Sequence, residues 1–175
     1  DISICPTPAY PVYEIGTMFA GGTTHFVTLK EENGYLVDFA DIPADIAKKA
    51  KTLWINYPNN PTGGIASVSF FDEAVRFCKG FDIALLHDAA YTEVTYDGHV
   101  APSVLQADGA MDIAMEFHSL SKTANMTGWR VGMAVGNSEM VNALMRVKSN
   151  IDSGLTQANQ EMGIAAMDLP PEWLD

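Results

Sequence analysis

Three short stretches place reactive side chains directly behind apolar runs: Tyr57 to Gly63 (YPNNPTG), Asp88 to Tyr91 (DAAY) and Ser119 to Lys122 (SLSK). Lys122 offers a primary amine, and a lysine held in a partly dry site is a competent nucleophile toward a carbonyl carbon. It follows the hydroxyls of Ser119 and Ser121 and precedes Met126 and the run Gly128-Trp129-Arg130. An ordinary solvated lysine is the competing reading, since most lysines are that. Asp88 closes an apolar run, where it serves either as a cap or as the anionic partner that keeps a pyridine-type nitrogen protonated. Asn60 is explained as well by turn chemistry as by ligand binding, and Tyr91 as well by the core as by a site. The guanidinium fork of Arg130 suits a phosphate or a surface ion pair.

The elements that must position these groups alternate between two hydrophobic periods. Ile2-Ser3-Ile4-Cys5 reads as a strand already under way. Residues 10 to 20 predict a helix, with Tyr10, Tyr13, Ile15, Met18 and Phe19 near helical spacing and Gly21-Gly22 as its stop. Further strands are predicted over Phe26 to Leu29, Thr52 to Asn56, Ile83 to Leu86, Ile113 to Phe117 and Val131 to Val135. Between them fall helices at Pro43 to Ala50, at Ser69 to about Lys79 (Ser69 as cap, Gly80 past its end), at Ser138 to about Ile151 with Ser138 as cap, and at Thr156 to Met167. This alternation predicts a three-layer α/β/α fold with a mostly parallel sheet and helices on both faces. In such sheets ligands gather at the carboxyl ends of strands, where the three reactive stretches fall.

Composition removes several other classes. The chain has 175 residues, 47% hydrophobic and 18% charged, with a formal net charge of -12 and no basic tract, which argues against disorder and against a nucleic-acid groove. The charged share is low for a free-standing surface and suits a domain covered in part by other chain or by a partner. Cys5 and Cys78 lack metal or disulfide spacing, and two buried free thiols fit a reducing compartment. No signal peptide and no membrane-length apolar run is present, so a cytoplasmic location is expected. The sequence holds no GxGxxG, Walker loop, HExxH or GxSxG motif. His25, His87, His99 and His118 show no ligand spacing; His87 and His118 end strands beside the reactive stretches, as structural histidines or as supports of the site.

Taken in order, Asn59-Asn60-Pro61-Thr62-Gly63, Asp88-Ala89-Ala90-Tyr91, Ser119-Leu120-Ser121-Lys122 and Met126-Thr127-Gly128-Trp129-Arg130 resemble the signature of class I/II aminotransferases, pyridoxal-phosphate enzymes of fold type I. The resemblance runs from Pro8-Ala9-Tyr10 nearly to the end. The wording of His87 to Gly98 and Glu116 to Trp129 is most similar to bacterial LL-diaminopimelate aminotransferases and their near relatives. The resemblance implies that Lys122 binds pyridoxal phosphate as a Schiff base and later moves the substrate's Cα proton. Asp88 would pair with the pyridine nitrogen, Asn60 and Tyr91 would hydrogen-bond its O3′, and Tyr10 would stack on the ring. Ser119, Ser121 and Arg130 would hold the phosphate, and Pro61 would follow a cis peptide bond. Catalytic roles thus fall to Lys122, Asp88 and Tyr91. Amino-acid and 2-oxo-acid substrates and a homodimer are implied in the same way.

Two parts of the family pattern are missing from these residues. Its glycine-containing phosphate loop would precede Asp1, and its small domain, with an arginine for the substrate carboxylate, would follow Asp175. Residues 1–175 are therefore expected to be a partial pyridoxal-phosphate-binding large domain, the sequence stopping soon after an apolar helix at Asp168-Leu169-Pro170-Pro171. Ala124 stands where close relatives often carry a larger aromatic residue. A β-lyase relative would use the same lysine, aspartate and tyrosine, and a truncated, non-catalytic fragment would keep the fold without turnover. A nucleotide-binding α/β domain is disfavoured by its absent fingerprints.

Overall fold

The computed structural model describes residues 1–170 and Trp173; Pro171, of the expected closing run, lies outside the described residues. Among these, six strands form one sheet in the order β2-β1-β3-β4-β5-β6. They are β1 (Ile2–Thr7), β2 (Thr23–Thr28), β3 (Ala50–Asn56), β4 (Ala84–Asp88), β5 (Ala114–Ser119) and β6 (Gly132–Gly136). β1 to β5 pair parallel, and β6 alone runs antiparallel, against β5. The helices are α1 (Val12–Phe19), α2 (Ala44–Ala47), α3 (Val68–Phe81), α4 (Leu120–Thr123), α5 (Ser138–Ile151) and α6 (Gln157–Met167).

The two faces of the sheet follow from strand alternation. Leu53 and Ile55 of β3 and Leu85 and His87 of β4 share one face, and register pairs Leu53 with Leu85 and Ile55 with His87. Against that face α3 buries Phe70, Phe71, Ala74, Val75 and Cys78, with the Phe71 and His87 rings 5.0 Å apart. Trp54, Asn56, Leu86 and Asp88 point the other way, and there Tyr13 of α1 stacks on Trp54 at 4.8 Å. Helices thus cover both faces, as the alternating pattern predicts. Buried Ile4, Leu53, Ile55, Phe71, Ile83 and Leu85 form the centre of the core.

The structure corrects the sequence reading mainly at element ends. The N-cap of α3 is Ser67, whose side chain accepts the Phe70 amide, while Ser69 hydrogen-bonds Ser67 at 2.8 Å. Gly80 does not stop that helix; Asp82, in the left-handed conformation at φ 57°, does. Asn137 rather than Ser138 caps α5, accepting from the amides of Glu139 and Met140. The predicted helix over residues 10 to 20 is shorter, because Pro11 stands at the cap of α1. The helix predicted over Pro43 to Ala50 is one turn, and Ala50 already belongs to β3. β2 begins at Thr23, three residues ahead of the expected Phe26.

Candidate active site

The carboxyl ends of β3, β4 and β5 open into a cleft of about 340 Å³, walled by Tyr10 and Tyr13 of the α1 region and by Lys122 and Arg130 beyond β5. Its floor is an aromatic stack: Tyr13 on Trp54, and Trp54 on Phe117 at 5.5 Å. These three side chains come from α1, β3 and β5, and flat rings in offset contact give the cleft an apolar, rigid base.

Asp88 ends β4 at the centre of this floor. Its Oδ2 accepts the Tyr13 hydroxyl at 2.6 Å and its Oδ1 accepts the Ala90 amide at 3.2 Å. Burial, reinforced by the neighbouring Asp88 carboxylate, pushes the Tyr13 phenol far above its ordinary value, so it remains a donor. Asn56 braces the same corner: its Nδ2 donates to the Asp88 carbonyl at 2.8 Å, and its Oδ1 accepts the Asn60 amide at 2.8 Å. The turn that follows β3 carries cis bonds at Tyr57-Pro58 and Asn60-Pro61, the second as the resemblance implies. Asn60 Nδ2 donates to the Tyr91 hydroxyl at 3.3 Å, so the two groups expected at one oxygen stand side by side.

Lys122 sits on α4, a single turn started by Ser119, whose Oγ accepts the Ser121 amide at 3.3 Å. Its Nζ lies 5.7 Å from the centre of the Tyr91 ring. Among the described residues Lys122 is exposed, as is the turn Thr127–Trp129, so these residues by themselves do not make the partly dry setting expected for it. Arg130, at φ 55° in the left-handed region, turns the chain back toward the cleft, and its Nη1 donates to the Thr127 carbonyl at 3.0 Å. Tyr10 lines the cleft mouth, 53% exposed, with its ring edge-on to Tyr13.

The cleft therefore gathers Tyr10, Asn60, Asp88, Tyr91, Ser119, Lys122 and Arg130. Ser121 is not among its lining residues; it is buried below, and its carbonyl accepts from Thr127. Sequence reasoning missed Tyr13, Asn56, Trp54 and Phe117. Only Tyr13 left a signal, as the second tyrosine of Tyr10-Pro11-Val12-Tyr13. Among the described residues, no group of His, Cys, Asp and Glu side chains is arranged for a metal ion.

An amine, a strand-end carboxylate, two neutral donors, an aromatic floor and a guanidinium in one cleft match the functional groups of pyridoxal phosphate. The ring nitrogen asks for an anion, the phenolic oxygen for donors, the aldehyde for an amine and the phosphate for a cation. The residues present fit that group. Fold and site together define a fold type I architecture of the aminotransferase kind.

Comparison with known proteins agrees. The family model described as "Aminotransferase class I and II" matches residues 1–174, and the chain belongs to that family, whose members depend on pyridoxal phosphate. LL-diaminopimelate aminotransferase of Moorella thermoacetica is 54% identical over 174 residues, 99% of this chain and 45% of that protein. The same-named protein of Aquifex aeolicus is 55% identical over 172 residues, 98% of this chain and 44% of that protein. Among solved structures, substrate-bound BacF from Bacillus subtilis superimposes with a TM-score of 0.96 at 38% identity, covering 99% of this chain and 44% of that one. A probable N-succinyldiaminopimelate aminotransferase from Thermus thermophilus gives 0.94 at 36% identity, covering 99% and 46%. The chain thus spans somewhat under half the length of the relatives it matches.

Proposed function

We propose that this chain carries the pyridoxal-phosphate site of an aminotransferase that moves an amino group between an amino acid and a 2-oxo acid. The observation that supports it most is the meeting of Lys122, Asp88, Asn60 and Tyr91 in one cleft. When bound, the cofactor supplies an electron sink for the electrons left on Cα as its proton departs. Lys122 Nζ would hold the cofactor's aldehyde carbon covalently and, once displaced by the substrate amine, take and return the Cα proton. Asp88, fixed by Tyr13 and Ala90, would keep the ring nitrogen protonated. Asn60 and Tyr91 would hold the phenolic oxygen, Tyr10 would cover the ring, and Ser119 and Arg130 would take the phosphate, with Ser121 buried beneath them in the turn that carries Lys122.

LL-Diaminopimelate and 2-oxoglutarate are the proposed substrates, on the strength of the 54% and 55% identical relatives named for the first of them. Residues 1–175 are read as a partial large domain, with a phosphate loop and a small domain supplied elsewhere in the protein. Exposed Met145, Val147 and Ile151 of α5, and Met18 and Phe19 of α1, are apolar faces suited to cover by that remaining chain or by the second subunit of a homodimer. No described helix is long and apolar enough to cross a membrane, and a cytoplasmic enzyme is the proposed setting. The test is the visible spectrum with added pyridoxal phosphate, followed by borohydride reduction and peptide mapping. A label on Lys122 is the expected result; a label on another lysine, or none, refutes the assignment. Keto-acid product rather than ammonia and pyruvate separates transamination from β-elimination.

A further inference from the structure

A cluster of charges that the proposed reaction does not use centres on the face of the sheet opposite the cleft, with one member, His118, reaching the cleft's edge. Glu116 of β5 is 2% exposed, and both its oxygens are engaged. Oε2 accepts from His87 Nδ1 at 3.0 Å and from the Val104 amide at 2.9 Å. Oε1 accepts from His118 Nε2 at 2.6 Å, and the Ser103 hydroxyl lies 3.1 and 2.9 Å from the two oxygens. His87 is fully buried, and its other nitrogen, Nε2, stands 3.0 Å from the Tyr57 carbonyl. A carbonyl and a carboxylate only accept, so each His87 nitrogen faces an acceptor. Burial opposes charge on Glu116. The hydrogen bonds from His118 and His87, the charge of His87 and the Val104 amide outweigh it and hold the carboxyl well below the usual range.

The ends of these bonds are what matter. Tyr57 opens the turn that carries Asn60, His87 directly precedes Asp88, and His118 directly precedes Ser119 and the turn of Lys122. The strand ladder itself stops here, with Asn56 opposite Asp88 and Asp88 opposite Phe117 as its last pairs. Past those pairs the Ala89 amide still donates to the Phe117 carbonyl at 2.8 Å, and β5 stays paired with β6 through Ser119 and Gly132, so the Glu116 bonds add a side-chain tie where few backbone bonds remain. Ser103 and Val104 add the segment that follows Tyr91.

We propose that Glu116 is a positioning residue, a buried anionic tie that holds the ends of β3, β4 and β5 so that Asn60, Asp88 and Lys122 converge on one bound molecule. It rests on the pyridoxal-phosphate reading of the cleft. A neutral residue of the same volume would fill the space without accepting from both histidines, and breaking one side of a buried charged pair disturbs everything bonded to it.

The test uses the full-length protein with Glu116→Gln, and Val75→Ala as a control, since Val75 is a buried α3 residue that makes none of these bonds. Pyridoxal-phosphate affinity is read by titration, occupancy of Lys122 by borohydride trapping, and the histidine ring N–H groups by ¹⁵N NMR. Glu116→Gln is expected to weaken cofactor binding tenfold or more and to alter the ring N–H signal of at least one of His87 and His118. Val75→Ala is expected to lower Tm while leaving affinity within twofold. Wild-type affinity in Glu116→Gln overturns the proposal, as does an equal loss of affinity in both variants at matched Tm. If Glu116→Gln does not fold, Ser103→Ala removes the hydroxyl that bonds Glu116 together with its Leu105 cap, and His118→Phe removes the donor to Oε1: threefold losses support the tie, and unchanged affinity in both refutes it. Wild-type protein that traps no cofactor at Lys122 overturns the reading of the cleft, and the tie falls with it.

Discussion

Replacing Tyr13 by Phe removes one oxygen from the cleft floor and leaves the ring stacked on Trp54. The lost bond is the 2.6 Å contact to Asp88 Oδ2, made by a phenol that is 2% exposed. A hydrogen bond to a charged group contributes about 1.5–3 kcal/mol when shielded, against a few tenths for a solvated pair. Asp88 is half-buried, which places the expected coupling near 2 kcal/mol. The measurement is a double-mutant cycle by urea denaturation: wild type, Tyr13→Phe, Asp88→Ala and the double variant. Asp88→Ala also loses the bond to the Ala90 amide, but that loss appears on both sides of the cycle and cancels. A coupling below about 0.5 kcal/mol would refute the view that the phenol and the carboxylate are joined in the folded protein.

Other consequences are open to direct measurement. Asp88→Asn should retain pyridoxal phosphate while losing about 100-fold or more in turnover; near-normal turnover contradicts its role at the ring nitrogen. Glu116 has a depressed folded value, so its stabilisation is present above the ordinary 4.5 and is lost as pH falls below it. His118 is raised, chiefly by its bond to Glu116, so its stabilisation is present below 6.5 and is lost as pH rises through the folded value. The difference in urea midpoint between wild type and Glu116→Gln should therefore shrink on both sides of that window, and a flat difference from pH 3 to 9 counts against the pairing. Gly136→Ala should cost about 1–3 kcal/mol, because φ is 137° there and a Cβ would meet the Ala114 carbonyl oxygen and lie 2.9 Å from Met115 Cα; an unchanged Tm would refute the close approach. Burial pushes the Cys5 and Cys78 thiols up to about 11 and about 12, so both should resist DTNB until the protein unfolds.

The strand ends that carry Asn60, Asp88 and Lys122 were legible because each follows an apolar run that only a buried strand explains. The caps were less so. Val68 alone separates Ser67 from Ser69, and Asn137 touches Ser138, so two competent caps competed at each helix and the backbone geometry chose the earlier one. Gly80 reads as a stop in sequence, but one residue without a Cβ costs a helix only about 1 kcal/mol, which the packing of Cys78 and Phe81 offsets. Tyr13, Trp54 and Phe117 lie 41 and 63 residues apart along the chain, and nothing local announces that they will stack. The Glu116 cluster was half visible: His87 and His118 stood out as strand-end histidines, but the carboxylate between them looked like any other acid.

The parallel run β3-β4-β5 is contiguous in space and in sequence. With Tyr10 and Tyr13 made first and Arg130 last, all the cleft residues named above fall between positions 10 and 130. A nascent chain can therefore assemble this cleft from its own neighbouring strands, without waiting for pairing to distant sequence, which favours early folding of the site during synthesis.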